Sequence, residues 1–298
     1  MSLEITVASV AQIRSSYQNR RRSAVTATTQ AGIRPRHHAL EDQLASLKRE
    51  HDDLRRAIYE AAQAQRRLCG PRHLHAGSYE FASEIFPVRH LSGDFITLLQ
   101  LEGDLVFAIG DIAGKGLMAG MWFTHVVGMI RRQMPALGDP AAALSAINRD
   151  LLLTGLDVPL TTLFLARINL ENGDLTYCNA GHPPALLLGE NSEFQELREG
   201  GPVLGAIRRA SFANGNAQLL PGNTLLAYSD GIPECRNEMG FEFGSQGLLN
   251  AARTFSGCKP SVMLFSVLAA VENFARTQRR EDDVALMVLH RFGSRKIN

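Results

Sequence analysis

Phe95-Ile96-Thr97-Leu98-Leu99-Gln100-Leu101-Glu102-Gly103-Asp104-Leu105-Val106-Phe107-Ala108-Ile109-Gly110-Asp111 reads as two apolar strands joined by a tight turn. Each arm has strand length and is rich in branched and aromatic residues, and Glu102-Gly103-Asp104 supplies the turn. An antiparallel hairpin turning there sets Asp94, just before the quoted stretch, opposite Asp111, with Cβ atoms about 5 Å apart. Carboxylates that close repel each other unless they are protonated or bridged by a cation. Their strands are apolar, so a hard cation with oxygen ligands answers the repulsion better than water does. An acid beside a glycine is also a common turn residue, so the hairpin alone leaves both readings open.

Four further segments have strand length: Leu163–Leu170, Ala185–Leu188, Thr224–Tyr228 and Val284–Leu289, with a second hairpin signal at Glu171-Asn172-Gly173-Asp174. Helical stretches lie between them, at about 116–133, from Asp139-Pro140 onward, and at about 245–255 and 261–276. Asp139 is a good N-cap, and the proline after it suits a first helical turn. Strands, helices, strands, helices and a closing strand predict an α+β fold of packed antiparallel sheets with helices outside.

Two more acids share the placement of the first pair: Asp230 ends the run from Leu225, and Asp282 opens the run into Val284. Four acids at strand termini point to a metal site, although each one alone is an ordinary turn residue. Asp111-Ile112-Ala113-Gly114-Lys115-Gly116 leads a strand into a helix, a turn that can aim backbone amides at a phosphate or simply pack tightly. Gly231, directly after Asp230, is expected to supply a positive φ.

Upstream the pattern changes. Leu40, Leu44, Leu47, His51, Leu54, Ile58, Ala61, Gln65 and Leu68 follow a heptad seam, and Cys69-Gly70-Pro71 stops the helix. The seam implies a coiled coil that makes a homodimer through residues 40–68; the alternative is one amphipathic helix packed on its own domain. The expected organisation is a flexible basic tail at 1–37, the helix at 38–69 and a folded domain at 77–292.

Charge and cysteine usage narrow the class. Residues 1–74 carry a net charge of +6 and residues 75–298 one of −5, an acidic balance that argues against a nucleic-acid-binding domain. Cys69, Cys178, Cys235 and Cys258 form no C-x-x-C pair and suit a reduced, cytoplasmic protein. The longest apolar stretch, Gly116 to Ile130, contains Thr124 and His125 and is shorter than the roughly 20 residues a spanning helix needs, so no membrane span is expected. No basic-then-apolar leader opens the sequence.

In order along the chain, Gly93-Asp94-Phe95, Gly110-Asp111-Ile112-Ala113-Gly114-Lys115-Gly116, Asn179-Ala180-Gly181-His182-Pro183-Pro184, Gly201-Pro202-Val203-Leu204-Gly205, Tyr228-Ser229-Asp230-Gly231-Ile232-Pro233-Glu234 and Asp282-Asp283-Val284-Ala285-Leu286 resemble the SpoIIE-type bacterial branch of the metal-dependent protein phosphatase 2C (PPM) superfamily. The resemblance implies a four-layer α-β-β-α sandwich holding two divalent cations, Mn²⁺ or Mg²⁺. By motif position, Asp111 would bridge both ions with the carbonyl of Ile112 completing one shell, Asp94 would serve one ion, and Asp230 and Asp282 would hold the other. Asp111 and Asp94 are thereby also the expected catalytic residues.

The reaction implied is hydrolysis of phosphoserine or phosphothreonine on a protein partner, of the anti-anti-sigma (STAS) type that a partner-switching pathway uses. The rival is a catalytically weak module of the same fold that docks a regulator. Several positions depart from the family pattern. Ser92 replaces a usual glycine, Pro233 interrupts the segment after Asp230-Gly231, and Ala113 stands where eukaryotic relatives place a histidine proposed as the acid. Asp283 matches a non-ligand position. Lys115 reads either as a phosphate contact or as a solvated charge, and His182 as a general acid or as a structural histidine in its turn.

Overall fold

The computed structural model describes residues 5–189 and 193–293. One helix, α1 (Ile5–Leu68), opens the chain. It is followed by β1 (His73–Ala76), β2 (Tyr79–Phe86), β3 (Phe95–Leu101), β4 (Asp104–Ile112), α2 (Leu117–Leu137), α3 (Pro140–Leu153), β5 (Thr161–Asn169), β6 (Asp174–Ala180) and β7 (Ala185–Leu188). The rest of the chain gives β8 (Phe194–Leu197), β9 (Gly200–Gly201), β10 (Gly215–Gln218), β11 (Thr224–Tyr228), α4 (Gly244–Thr254), α5 (Pro260–Ala275) and β12 (Val284–Arg291).

The strands form two sheets, ordered β1-β2-β12-β11-β7-β8 and β10-β6-β5-β4-β3, with β9 added beside β6. Three apolar layers separate four layers of structure. Phe107, Ile109, Phe164, Leu225 and Met287 fill the space between the sheets. Phe123, Val126, Ile130, Leu144 and Ile147 bind α2 and α3 to the second sheet, and Leu248, Met263, Leu264 and Val267 bind α4 and α5 to the first. This is the α-β-β-α sandwich that the family resemblance implied. Both faces of each sheet are buried, which is why the strands read as continuous apolar runs rather than as alternating ones.

The hairpin that sets the site folds in the expected register, with Phe95 paired to Gly110 and Leu101 to Asp104. Asp139 caps α3, its side chain accepting from the Ala142 amide at 2.7 Å. The N-terminal organisation differs from expectation: residues read as a flexible tail over 1–37 belong, from Ile5, to α1. Their Ala, Gln and Arg content has good helix propensity even where no apolar period marks it. Along the seam, Leu40, Leu44, Leu47 and Leu54 are each more than half exposed. The last turns of α1 differ: Ala62 and Gln65 are buried, and Leu68 packs against the core beneath α2. Gln65 exchanges two hydrogen bonds with the backbone of Ser92, so one of the seam's two polar positions is filled by a specific contact. No helix among the described residues is long and apolar enough to cross a membrane.

Candidate metal centre

All four expected acids stand at strand ends on one edge of the sandwich. Asp94 immediately precedes β3 and Asp111 lies near the end of β4, so continuing the hairpin register by one residue sets them opposite each other. Asp230 follows β11 by two residues and Asp282 precedes β12 by two, and these strands are antiparallel neighbours, with Tyr228 paired to Leu286.

Electrostatics shows that the acids share one space. Asp94 is 2% exposed, and its carboxyl is pushed well above the usual range by burial and by the charges of Asp111, Asp283 and Asp230, against the pull of the Ser229 hydroxyl. Burial, then the charges of Asp230, Asp282 and Asp283, pushes Asp111 up to about 6. Asp230 is raised too, by burial and then by Asp282. Oδ2 of Asp94 is buried with no hydrogen-bond partner.

Gly93 is where this geometry is tightest. A Cβ at that position would lie 2.9 Å from Asp111 Oδ1 and 2.9 Å from the Ile112 carbonyl oxygen, so both oxygens face one point that only glycine leaves open. These are the carboxylate and the carbonyl that the resemblance assigns to the ions. Gly231 does not supply a positive φ as expected. It is required because the Asp283 carbonyl packs against its Cα, within 2.0 Å of where a Cβ would stand.

Among the described residues, no three His, Cys, Asp or Glu side chains are drawn together tightly enough to form a ready-made cage. The donor set nevertheless suits a hard cation such as Mg²⁺, which binds through one or two carboxylates and keeps several waters. Asp282 is engaged elsewhere: its Oδ1 lies 3.0 Å from Lys115 Nζ, which also donates to the Glu281 carbonyl at 2.8 Å.

The second member of the Asp282-Asp283 pair turns the other way. Asp283 accepts from the Val88 amide at 2.7 Å, the Ser92 hydroxyl at 2.8 Å and the Gly93 amide at 2.9 Å. It clamps the segment that delivers Asp94, and the serine that departs from the family pattern supplies one of the three donors.

His182 is a structural residue. Its backbone amide donates to Asn179, its carbonyl accepts from the Asn179 amide group, and its Nδ1 pairs with the Thr162 hydroxyl at 2.8 Å. Burial lowers its imidazole to about 3, so the ring is neutral near pH 7 and is not poised to act as an acid toward a leaving group. A cavity of about 210 Å³ opens beside Asp282 and Gly231, lined also by Glu234, Arg236, Arg279 and Arg280.

The family profile described as Stage II sporulation protein E (SpoIIE) matches residues 102–292. The phosphoserine phosphatase RsbU of Bacillus subtilis is 26% identical over 254 residues, covering 83% of this chain and 73% of RsbU. Protein IcfG of Synechocystis is 27% identical over 205 residues, covering 59% of this chain and only 32% of IcfG. Among solved structures, the SiaA-PP2C domain of Pseudomonas aeruginosa superposes with a TM-score of 0.70 at 19% identity, covering 82% of this chain and 98% of that domain. The phosphatase domain of Bacillus subtilis SpoIIE gives 0.63 at 20% identity, covering 71% and 63%.

Proposed function

We propose, starting from the fact that this chain belongs to the SpoIIE family and is a protein-serine/threonine phosphatase, that it hydrolyses a phosphoserine or phosphothreonine on an anti-anti-sigma (STAS-type) protein. The pathway would be a partner-switching one that controls a sigma factor, the setting implied by the resemblance of the chain's motifs to the SpoIIE-type branch. Two divalent cations, Mn²⁺ or Mg²⁺, would be held by Asp111 and the Ile112 carbonyl, by Asp94, and by Asp230 and Asp282. Bound there, such ions supply a nucleophilic water at neutral pH and neutralise charge on the phosphoryl group.

The chain's own residues prepare the place. Asp283 holds the Val88–Gly93 segment so that Asp94 meets Asp111. Gly93 leaves open the point that the Asp111 carboxylate and the Ile112 carbonyl face, and Gly231 lets the ends of β11 and β12 close. The observation that carries the reading is the Asp94 carboxylate: it is buried, has an unpartnered oxygen, and is surrounded by acids whose repulsion a cation would relieve. In this reading the phosphatase domain spans 77–292, with β1, paired to β2, leading into it. A homodimer through residues 40–68 completes the proposal, supported by the exposure of Leu40, Leu44, Leu47 and Leu54 in the single chain. The test is phosphate release from a serine-phosphorylated STAS protein as Mn²⁺ is added. Turnover should require the cation and disappear in Asp111→Ala; cation-independent turnover would overturn the proposal.

A further inference from the structure

Lys115 has no assigned part in the chemistry, yet it is the cation that the structure places on one of the four acids. Its ammonium lies 3.0 Å from Asp282 Oδ1, and the Glu281 carbonyl accepts from it at 2.8 Å. Two oxygens from consecutive residues therefore converge on one positive charge, as they would on a metal ion. The lysine arrives from Ala113-Gly114-Lys115-Gly116, which joins the end of β4, with Asp111 and Ile112, to the start of α2. Gly114 and Gly116 have φ of 109° and 85°, conformations that fix the turn without a side chain to anchor it. The contact to Glu281 and Asp282 ties the Lys115 end of this turn across to the start of β12, while the Ala113 amide donates to the Leu160 carbonyl at 2.8 Å and holds the other end.

We infer that Lys115 is an internal competitor for the cation at Asp282: its ammonium stands in for the ion, and loading the site displaces it. The inference rests on the reading of Asp282 as a ligand. A divalent ion on the Asp282 carboxylate would put two like charges within a few ångströms of each other, and their repulsion opposes the Lys115 contact, so loading the site favours its release. Two consequences follow. The lysine weakens cation binding by the worth of its ion pair, which for side chains about half exposed is about two- to fivefold in affinity. Loading also loosens the Gly114–Gly116 part of the turn and the adjoining end of α2, where Leu117, Met118 and Met121 are each more than 60% exposed. Cation occupancy is then coupled to the order of a surface beside the site.

The experiment compares the wild-type chain with Lys115→Met and Asp282→Asn, using Mn²⁺ alone as the probe. Affinity is read from the electron paramagnetic resonance of free Mn²⁺, and order from amide hydrogen exchange of peptides covering residues 113–121. Lys115→Met should bind Mn²⁺ about two- to fivefold more tightly. In the wild type, Mn²⁺ should raise exchange over 113–121. In Lys115→Met that exchange should be high from the start and should not rise further. A through-space charge effect alone would change the affinity without the exchange difference, and that result would overturn the displacement. Unchanged affinity in Lys115→Met, with Asp282→Asn clearly weakened, would overturn the inference while leaving the ligand assignment standing. Wild-type affinity in Asp282→Asn would remove the assignment itself, and the inference with it.

Discussion

Replacing Asp283 tests whether the site is built by a clamp that never touches substrate. In Asp283→Ala, three donors lose their acceptor: the Val88 amide, the Ser92 hydroxyl and the Gly93 amide. A buried donor left unsatisfied costs about 1–3 kcal/mol. Val88 is 40% exposed and can turn to water, and the Ser92 hydroxyl can rotate, so the full cost falls on the Gly93 amide and part of it on the others. Removing the acid also relieves the expense of burying its charge. The net loss is about 2–5 kcal/mol, or roughly 5–15 °C in Tm for a domain of this size.

Asp283→Asn separates the contacts. Its single amide oxygen serves the Ser92 and Gly93 donors best, so the amide nitrogen turns toward the half-buried Val88 amide and the loss shrinks to about 1–2 kcal/mol. The assays are urea unfolding in EDTA and a Mn²⁺ titration of turnover. Asp283→Ala should also need more Mn²⁺ for half-maximal activity, because Asp94 is no longer held against Asp111. Stability within about 0.5 kcal/mol of the parent, with an unchanged Mn²⁺ requirement, would refute the clamp.

Four other outcomes follow from the same geometry. Gly93→Ala should fold, by circular dichroism, yet lose at least about tenfold in Mn²⁺-dependent turnover, since the added methyl meets Asp111 and the Ile112 carbonyl at 2.9 Å. Asp94→Asn should stabilise the cation-free protein by about 1–2 kcal/mol in urea while abolishing the thermal shift that Mn²⁺ gives, because it removes one of several mutually repelling acids. His182 is lowered to about 3 when folded and returns to about 6.5 when unfolded, so its share of stability is complete above pH 6.5 and lost as pH falls toward 3. Urea unfolding at pH 4.5 should therefore show about 2–3 kcal/mol of acid loss that His182→Asn does not share. Leu47→Lys with Leu54→Lys should halve the mass seen by light scattering if α1 pairs two chains, and an unchanged monomeric mass in the parent would end the dimer reading.

Much of the site was legible because its parts are local. The β3–β4 hairpin carries its register in its own turn, so Asp94 and Asp111 could be paired by position alone. Asp230 and Asp282 were recognisable as acids at the ends of long apolar runs. What stayed hidden depends on distant partners. The donors to Asp283 lie about 190 residues away, so nothing beside it marks it as a clamp rather than a spare acid. Gly231 is explained by the backbone of another strand, where local reading suggested only a turn. Short edge strands such as β8, β9 and β10 carry too few residues to show a period. Gln65 did leave a signal, a polar side chain on an apolar seam, and it anchors the end of α1 to Ser92.

The most direct test of the central claim is the Mn²⁺ dependence of phosphate release from a serine-phosphorylated STAS protein, measured for the wild type and for Asp111→Ala at matched stability. Asp111 and the Ile112 carbonyl face the same point beside Gly93, so losing that carboxylate should remove activity at every Mn²⁺ concentration. Near-wild-type release from a folded Asp111→Ala protein at saturating Mn²⁺ would contradict the account.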